Sequence, residues 1–163
     1  MALRRGTCVN VRGRFSAVNI GQIASKQAVT VPLGASLEQA AQKMLQCSVG
    51  AIVVTDNSGG RPAVAGIITD RDIVRARLEH ASALAALDVA DVMTRAPLVI
   101  DAQESLTNAI RHLQARRVRR APVVGRDGEL LGLVSTDDLL GEIAAELAGL
   151  AHLVARQGRK RDS

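Results

Sequence analysis

Aromatic side chains are almost absent from this sequence: of its 163 residues one is a phenylalanine, Phe15, and none is tryptophan or tyrosine. Proteins that bind single-stranded nucleic acids stack the bases on aromatic rings that line a basic groove. This chain cannot build such a stacking platform, so conventional nucleic-acid-binding modules are disfavoured.

Cysteines and long apolar runs are also scarce. The two cysteines, Cys8 and Cys47, fall in unlike contexts, a polar N-terminal stretch and the end of a predicted helix, so free thiols are favoured over a disulfide. No apolar run approaches the ~20 residues that span a bilayer, and the N-terminus lacks the apolar stretch of a secretory signal. The sequence therefore predicts a soluble, cytoplasmic protein with no membrane segment.

The motifs of common enzymes and metal sites are missing as well. The sequence has no Gly-rich phosphate loop of the Walker type and no G-x-S-x-G nucleophile elbow. Its histidines, His80, His112 and His152, have no cysteine or carboxylate neighbours at a converging metal-ligand spacing. We therefore predict no catalytic residue, no metal site and no enzymatic activity.

Positive charge is concentrated at the two ends of the chain. The formal net charge is +5, and residues 1–28 alone carry +5 while residues 156–163 carry +3. The body, residues 29–155, is therefore left with −3. Basic ends on a mildly acidic body favour solvated tails, so nucleic acid is disfavoured as a partner. A regulator that contacts nucleic acid through these ends stays open as an alternative.

One short phrase occurs twice in the chain. Gly66-Ile67-Ile68-Thr69-Asp70-Arg71-Asp72 returns as Gly132-Leu133-Val134-Ser135-Thr136-Asp137-Asp138. Each copy contains a glycine, two apolar residues, a hydroxyl residue and, three positions later, an aspartate, and the offset is 66 residues throughout. A constant offset indicates that a whole supersecondary unit has been duplicated.

The apolar pattern around each copy predicts the element order β-α-β-β-α. Helices begin near Ser36 and Thr69 in the first unit and near Ser105 in the second. Each unit then has a small sheet that helices cover on one face, and its other face needs a partner. The predicted fold is therefore α/β (α+β), with two tandem repeats packed sheet to sheet about a pseudo-twofold axis. The predicted strands are 29–31, 51–54, 63–68, 98–100, 122–124 and 130–134.

The last predicted helix continues past its repeat. Its apolar stripe includes Leu147, Leu150 and Val154 and is a candidate for packing across a subunit interface, with coverage of its own domain as the alternative. The predicted parts of the chain are a basic N-terminal arm (1–25), a first repeat (26–80), an inter-repeat linker that is helical in part (81–95), a second repeat (96–146) and a C-terminal helix extension with a basic tail (147–163).

The end of the repeated phrase has two interpretations. Thr69-x-x-Asp72 and Ser135-x-x-Asp138 have the spacing of a capping box, in which a hydroxyl and a carboxylate satisfy backbone N–H groups at a helix start. A helix start after such a strand also offers unpaired N–H groups and a positive dipole end to a phosphate. A carboxylate one turn further on can accept hydrogen bonds from both hydroxyls of a ribose. The two roles are compatible.

The paired units, with their G-h-h-[T/S]-x-x-D endings, resemble cystathionine-β-synthase-type (CBS) domains, two of which form a Bateman module. The resemblance covers about Lys26 to Glu146 and includes the phrase Val89-Ala90-Asp91-Val92-Met93-Thr94, which is similar to the family's usual entry into a repeat. It implies a regulatory sensor that binds AMP, ADP, ATP or S-adenosylmethionine between the repeats. No cofactor and no catalysis are implied. We expect a homodimer that relays ligand occupancy to an unknown effector protein.

The resemblance also implies which residues bind the ligand. Asp72 and Asp138 match the aspartates that hold the ribose, and Thr69 and Ser135 match hydroxyls that contact ribose or phosphate. Two apolar positions that flank the base and one position on the first strand complete the two pockets. These three are Ile67, Leu133 and Thr30. Because the chain lacks aromatic rings, adenine would lie between aliphatic side chains and be recognised by backbone groups.

The two copies differ in charge. The segment 116–120 is Arg-Arg-Val-Arg-Arg, whereas the corresponding segment of the first unit has no basic residue. The resemblance implies that Arg119 and Arg120 face the ligand phosphates, and a solvated strand edge is the alternative. Just before the ribose aspartate, the first copy has Arg71 and the second has Asp137. We therefore expect the first site, with Arg119 or Arg120 reaching it across the cleft, to prefer a phosphorylated nucleotide.

Two other functions stay open beside the nucleotide sensor. The repeats could serve dimerisation alone, with pockets that bind nothing, or the chain could act on nucleic acid through its basic ends. A nucleotide sensor should melt at a higher temperature when its ligand is added, whereas a scaffold should not.

Overall fold

The computed structural model describes residues 18–25, 28–60, 62–80 and 86–158. The basic arm before residue 18, which contains Cys8, and the tail after residue 158 lie outside the described residues. The described chain forms six helices and seven strands, in the order α1 (Ile20–Ile23), β1 (Thr30–Pro32), α2 (Leu37–Cys47), β2 (Ala51–Asp56), β3 (Ala63–Thr69), α3 (Asp70–Glu79), α4 (Val89–Val92), β4 (Thr94–Arg95), β5 (Ile100–Asp101), α5 (Leu106–Arg116), β6 (Arg120–Val124), β7 (Leu130–Ser135) and α6 (Thr136–Gly158).

The predicted order β-α-β-β-α is confirmed in both halves of the chain. The first sheet has the strand order β1-β2-β3-β4 and the second has the order β5-β6-β7. In each sheet the first strand runs parallel to the second, and the second pairs with the third as an antiparallel hairpin. Strand β5 is shorter than predicted, because Leu98 and Val99 precede the paired residues Ile100 and Asp101.

Each sheet has a core on the face that its helices cover. Strand β2 places Ile52 and Val54 in the first core, and strand β6 places Ala121 and Val123 in the second. Alternate residues of a strand point to opposite faces, so Val53 lies on the other face of the first sheet. Val53 is completely buried there.

The second sheet shows the same arrangement. Pro122 lies between Ala121 and Val123 on strand β6, on the face away from the helices, and it is also fully buried. Residues on two helix-free faces are buried in this way when the faces pack against each other. The two repeats therefore meet sheet to sheet.

The segment that leads into each repeat, its entry segment, packs on the other repeat, so the two entry segments are exchanged. Helix α1, which precedes the first repeat, packs on the second: Ile20 is completely buried in the second core, and Ser25 forms an isolated bridge to Leu133 of β7. Helix α4 and strand β4, which precede the second repeat, pack on the first, where Val89 is completely buried and Thr94 pairs with Ile67. Each entry segment thus belongs to the core of the other repeat.

The glycines that begin the repeated phrase make this exchange possible. A Cβ on Gly132 would collide with the backbone carbonyl oxygen of Ser25, and a Cβ on Gly66 would collide with Met93 Sδ and lie 3.0 Å from the carbonyl oxygen of Thr94. A side chain at either position would push the entry segment away from the strand. The glycine of the phrase therefore serves packing.

Helix α6 continues beyond the second repeat. It has 23 residues, of which the first part packs on α5 and β7. The residues from Ala144 to Ala155 are exposed. None of the described helices is long and apolar enough to cross a membrane.

Candidate functional site

Both copies of the repeated phrase end as a strand that passes directly into a helix. In the first, Thr69 is the N-cap of α3, and its backbone N–H and Oγ1 donate to Asp72 Oδ2 at 3.0 Å and 2.7 Å. The backbone N–H of Asp72 donates to Thr69 Oγ1 at 3.3 Å. In the second, Ser135 and Asp138 make the same three hydrogen bonds at 2.8 Å, 2.6 Å and 3.2 Å. The capping-box interpretation is therefore confirmed for both.

The two capping carboxylates differ in the contacts of Oδ1, the oxygen that does not accept the cap hydrogen bonds. Asp72 Oδ1 accepts a hydrogen bond from Arg75 Nη2 at 3.2 Å, and the Asp72 side chain is only 16% exposed. The position that corresponds to Arg75 in the second repeat is Gly141. Within the described residues, no cation contacts the carboxylate of Asp138. Oδ1 of Asp138 is therefore accessible, whereas Oδ1 of Asp72 accepts a hydrogen bond from the exposed Arg75.

The apolar candidates lie on the faces where the two sheets meet. Thr30 pairs with Val53, which pairs with Ile67, so these three side chains form one row across the first sheet. In the second sheet Leu133 pairs with Pro122. Ile67 lies two residues before Thr69, and Leu133 lies two residues before Ser135. Alternation along the strand therefore places each apolar side chain and its hydroxyl on the same face.

Arg120 reaches from the second repeat to the first. It pairs with Ser135 at the start of β6, so its side chain also projects from the inter-sheet face. A Cβ added to Gly50 would lie 3.5 Å from Arg120 Nη1 and 3.1 Å from Asp70 Oδ2. Gly50 immediately precedes β2, and Asp70 is the first residue of α3. The guanidinium group therefore lies beside the helix start that carries Thr69.

The other charged candidates stay in their own repeats. Arg119 Nη2 lies 3.8 Å from Asp137 Oδ1, and both side chains are largely exposed. Such a surface ion pair contributes little stability. Arg71 is exposed, and its backbone N–H donates to Asp70 Oδ1 at 2.7 Å. The sequence left open whether Arg119 or Arg120 reaches the first site, and Arg120 is the one that lies beside it.

A cavity of about 330 Å³ lies between the repeats. Its lining includes Thr30 but none of the four cap residues, so Thr30 and the helix starts do not share this cavity. The turn beside it holds Asp56, where a hydrogen bond from the backbone N–H of Ser58 lowers the pKa of the carboxyl. The lining residues are Ala28, Thr30, Thr55, Asn57, Pro62, Glu129, Leu130 and Leu131.

Sequence reasoning missed Arg75 and Gly50. Arg75 follows Asp72 by three residues in a helix, a spacing that places two side chains on the same face, so the signal was present. Gly50 matters because it has no side chain, which leaves room for an arginine from the other repeat. No cluster of three or more potential metal ligands occurs among the described residues, and Cys47 is a free, exposed thiol.

Comparison with known proteins identifies the family. The family model of the CBS domain matches residues 20–79 and 89–145, so the chain belongs to the CBS domain family. Both matches include the entry segments that the structure shows to be exchanged. Relatives with two such domains are therefore the proper reference for this fold.

Curated relatives match over the same region. The chain is 32% identical over 125 residues to YlbB of Bacillus subtilis, covering 76% of this chain and 82% of that protein. It is 25% identical over 124 residues to MK0525 of Methanopyrus kandleri, covering 76% of this chain but only 62% of the relative. A homoserine O-acetyltransferase of Methanohalophilus mahii is 30% identical over 122 residues, which are 24% of that protein. Only the CBS part of that enzyme is similar to this chain.

Solved structures have the same fold. A protein with CBS domains from Burkholderia ambifaria superposes with a TM-score of 0.68 at 26% identity, covering 78% of this chain and 94% of the other. CBSX2, solved in complex with AMP, gives 0.67 at 23% identity and coverages of 81% and 99%. The domain pair of MJ0100, solved with 5′-methylthioadenosine and S-adenosylmethionine, gives 0.67 at 21% identity and coverages of 78% and 97%.

Proposed function

We propose that this chain is a cytoplasmic regulatory module that binds an adenosine ligand, AMP, ADP, ATP or S-adenosylmethionine, between its two repeats and relays occupancy to a separate effector protein. It needs no cofactor and catalyses no reaction. The complexes of CBSX2 with AMP and of MJ0100 with methylthioadenosine and S-adenosylmethionine support this class of ligand.

The observation that carries the proposal is the position of Arg120 between the two capped helix starts. Arg120 begins β6 opposite Ser135, and its guanidinium lies beside Gly50 and Asp70 at the other helix start. Both capping boxes therefore lie at the same end of the cleft, within the reach of one arginine side chain. A ribose on a cap carboxylate and a phosphate on Arg120 would be held by neighbouring groups.

The capping boxes leave part of each carboxylate for a ligand. Oδ2 of each aspartate accepts the cap hydrogen bonds, whereas Oδ1 is not needed for the cap. A ribose hydroxyl can bind Oδ1 of Asp138 directly. At Asp72 it must displace Arg75, whose side chain is 60% exposed and whose ion pair is therefore weak. The displaced arginine then becomes a further cation near the phosphate.

Charge favours the first site for phosphate. Arg71, Arg75 and Arg120 are near the start of α3, whereas Arg119 at the start of α6 is accompanied by Asp137. Guanidinium groups bind phosphate through charge-assisted hydrogen bonds, and three arginines at the first helix start exceed its two carboxylates, Asp70 and Asp72, whereas the single arginine at the second meets Asp137 and Asp138. The first site therefore takes the phosphorylated nucleotide, and the second takes a less charged adenosyl ligand or binds weakly.

The matched pair Asp72→Asn and Asp138→Asn tests this assignment. Asparagine keeps an oxygen that can accept the cap hydrogen bonds, so the helices should stay capped, while the charge that binds ribose is lost. Hydrogen bonds to charged groups contribute about 1.5–3 kcal/mol. We therefore expect Asp72→Asn to weaken AMP binding about tenfold or more in calorimetric titration, and Asp138→Asn to change it much less. Equal losses would contradict the asymmetry, and unchanged AMP binding in both variants would contradict the site.

A further inference from the structure

We propose that the C-terminal half of α6 joins two copies of this chain as an antiparallel helix pair. The match to the CBS domain ends at residue 145, but α6 continues to Gly158. At 1.5 Å per residue, the 13 additional residues extend the helix by about 20 Å beyond the domain. The domain therefore does not account for this part of the helix, and nucleotide binding is not required for its pairing.

The extension carries an apolar seam with no cover within the described chain. The seam residues follow one another at alternating steps of three and four, which is the spacing of a two-helix coiled coil. Four of them are more than half exposed: Leu140 (65%), Leu147 (61%), Leu150 (52%) and Val154 (71%). Ile143 completes the seam and is half-buried. Isolated apolar side chains are ordinary on a surface, but a continuous seam indicates a partner.

The charge distribution of α6 identifies the partner as a second copy. Between residues 147 and 155 the helix has no acidic residue, lysine or arginine. Four carboxylates precede this stretch, and four basic residues, against one aspartate, follow it. Two parallel copies would place like charges together, whereas two antiparallel copies place the acidic first part of each helix beside the end of the other helix that carries Arg156. The carboxylates are Asp137, Asp138, Glu142 and Glu146, and the basic residues are Arg156, Arg159, Lys160 and Arg161.

One antiparallel register pairs four of the five seam residues with one another. It places Leu147 opposite Leu150 of the second copy and Ile143 opposite Val154. Ala144 and Ala151 flank these layers, and their small side chains allow the two helices to approach closely. A groove of about 340 Å³ between α5 and α6, which Leu140 and Ile143 help to line, continues the seam onto the domain. Because Ile143 lies opposite Val154 in this register, Val154 of the second copy would lie beside this groove.

The oligomeric state of the full chain tests the interface. Light scattering coupled to size exclusion should give the mass of a dimer for the wild type and half that mass for Leu150→Glu. The matched control is Leu45→Glu, a substitution on α2 at a leucine that is 80% exposed, which should leave the dimer intact. A monomeric wild type would overturn the proposal. So would an assembly that Leu45→Glu dissociates and Leu150→Glu does not.

Disulfide trapping tests the orientation. In a background with Cys8→Ser and Cys47→Ser, Ile143→Cys and Val154→Cys chains are refolded together and oxidised. In the antiparallel register residue 143 faces residue 154, so the mixture should form covalent dimers, whereas each variant alone should not. In each single-variant dimer the two cysteines would be about 16 Å apart along the pair, beyond the reach of a disulfide. Efficient cross-linking of either variant alone would show a parallel pair and overturn the proposal.

Discussion

Alanine at position 132 should lower the free energy of unfolding by about 2–3 kcal/mol, as overpacking of a closely packed site does. Its Cβ would meet the carbonyl oxygen of Ser25, a backbone atom that cannot rotate away. The entry segment must then move from β7, which weakens the two backbone hydrogen bonds between Ser25 and Leu133 and the burial of Ile20. Urea unfolding of Gly132→Ala and wild type measures the loss.

Two controls separate this collision from other effects of the substitution. Gly34→Ala adds the same methyl group where nothing lies within 4 Å, so its stability should be close to that of the wild type. Deletion of residues 1–17 leaves the packed entry segment in place and should also cost little, whereas deletion of residues 1–25 removes Ile20 and Ala24 from the second core. If Gly132→Ala were as stable as Gly34→Ala, the exchange of entry segments would not contribute to stability.

Arg120→Ala should weaken AMP binding about tenfold or more, because a charge-assisted hydrogen bond to phosphate contributes about 1.5–3 kcal/mol. Arg119→Ala removes the same charge from the adjacent residue, so both variants change the long-range potential almost equally. Arg119 pairs with Asp137 and does not cross the cleft, so its loss should weaken AMP binding less than about threefold. Calorimetric titration at fixed ionic strength compares the two variants directly.

Adenosine provides the chemical control for the same pair of variants. It has the base and the ribose of AMP but no phosphate, so Arg120→Ala should leave its affinity unchanged. Equal losses of AMP affinity in both arginine variants would indicate general charge rather than contact. A larger loss in Arg119→Ala would place the phosphate at the second helix start and contradict the assignment.

The sequence predicted the elements of this fold because each repeat carries strong local signals. Apolar runs bounded by turns identified the hairpins, and Ser36 marked the capped start of α2. The duplicated phrase identified the sheet ends, and the hydroxyl and carboxylate at its end predicted capping boxes that depend only on residues three apart. Interactions of short range in sequence are the ones that a pattern can reveal.

The exchange of entry segments could not be predicted in this way. Helix α1 has four residues and strand β4 has two, too short for any periodicity. Their positions depend on contacts over long sequence separations, such as that of Ser25 with Leu133. For this reason the sequence predicts that residues 19–25 belong to the basic arm, although they pack on the second sheet. The direction of the Arg120 side chain also depends on the packing of the two repeats, which sets Gly50 opposite it.

Titration of the wild-type chain with AMP in a calorimeter tests whether the two repeats bind an adenosine ligand. We expect saturable binding, a higher melting temperature with AMP present, and loss of both in the Asp72→Asn/Asp138→Asn double variant. Absence of heat and of any rise in melting temperature with AMP, ADP, ATP and S-adenosylmethionine would contradict it, and the repeats would then serve as a dimerisation scaffold.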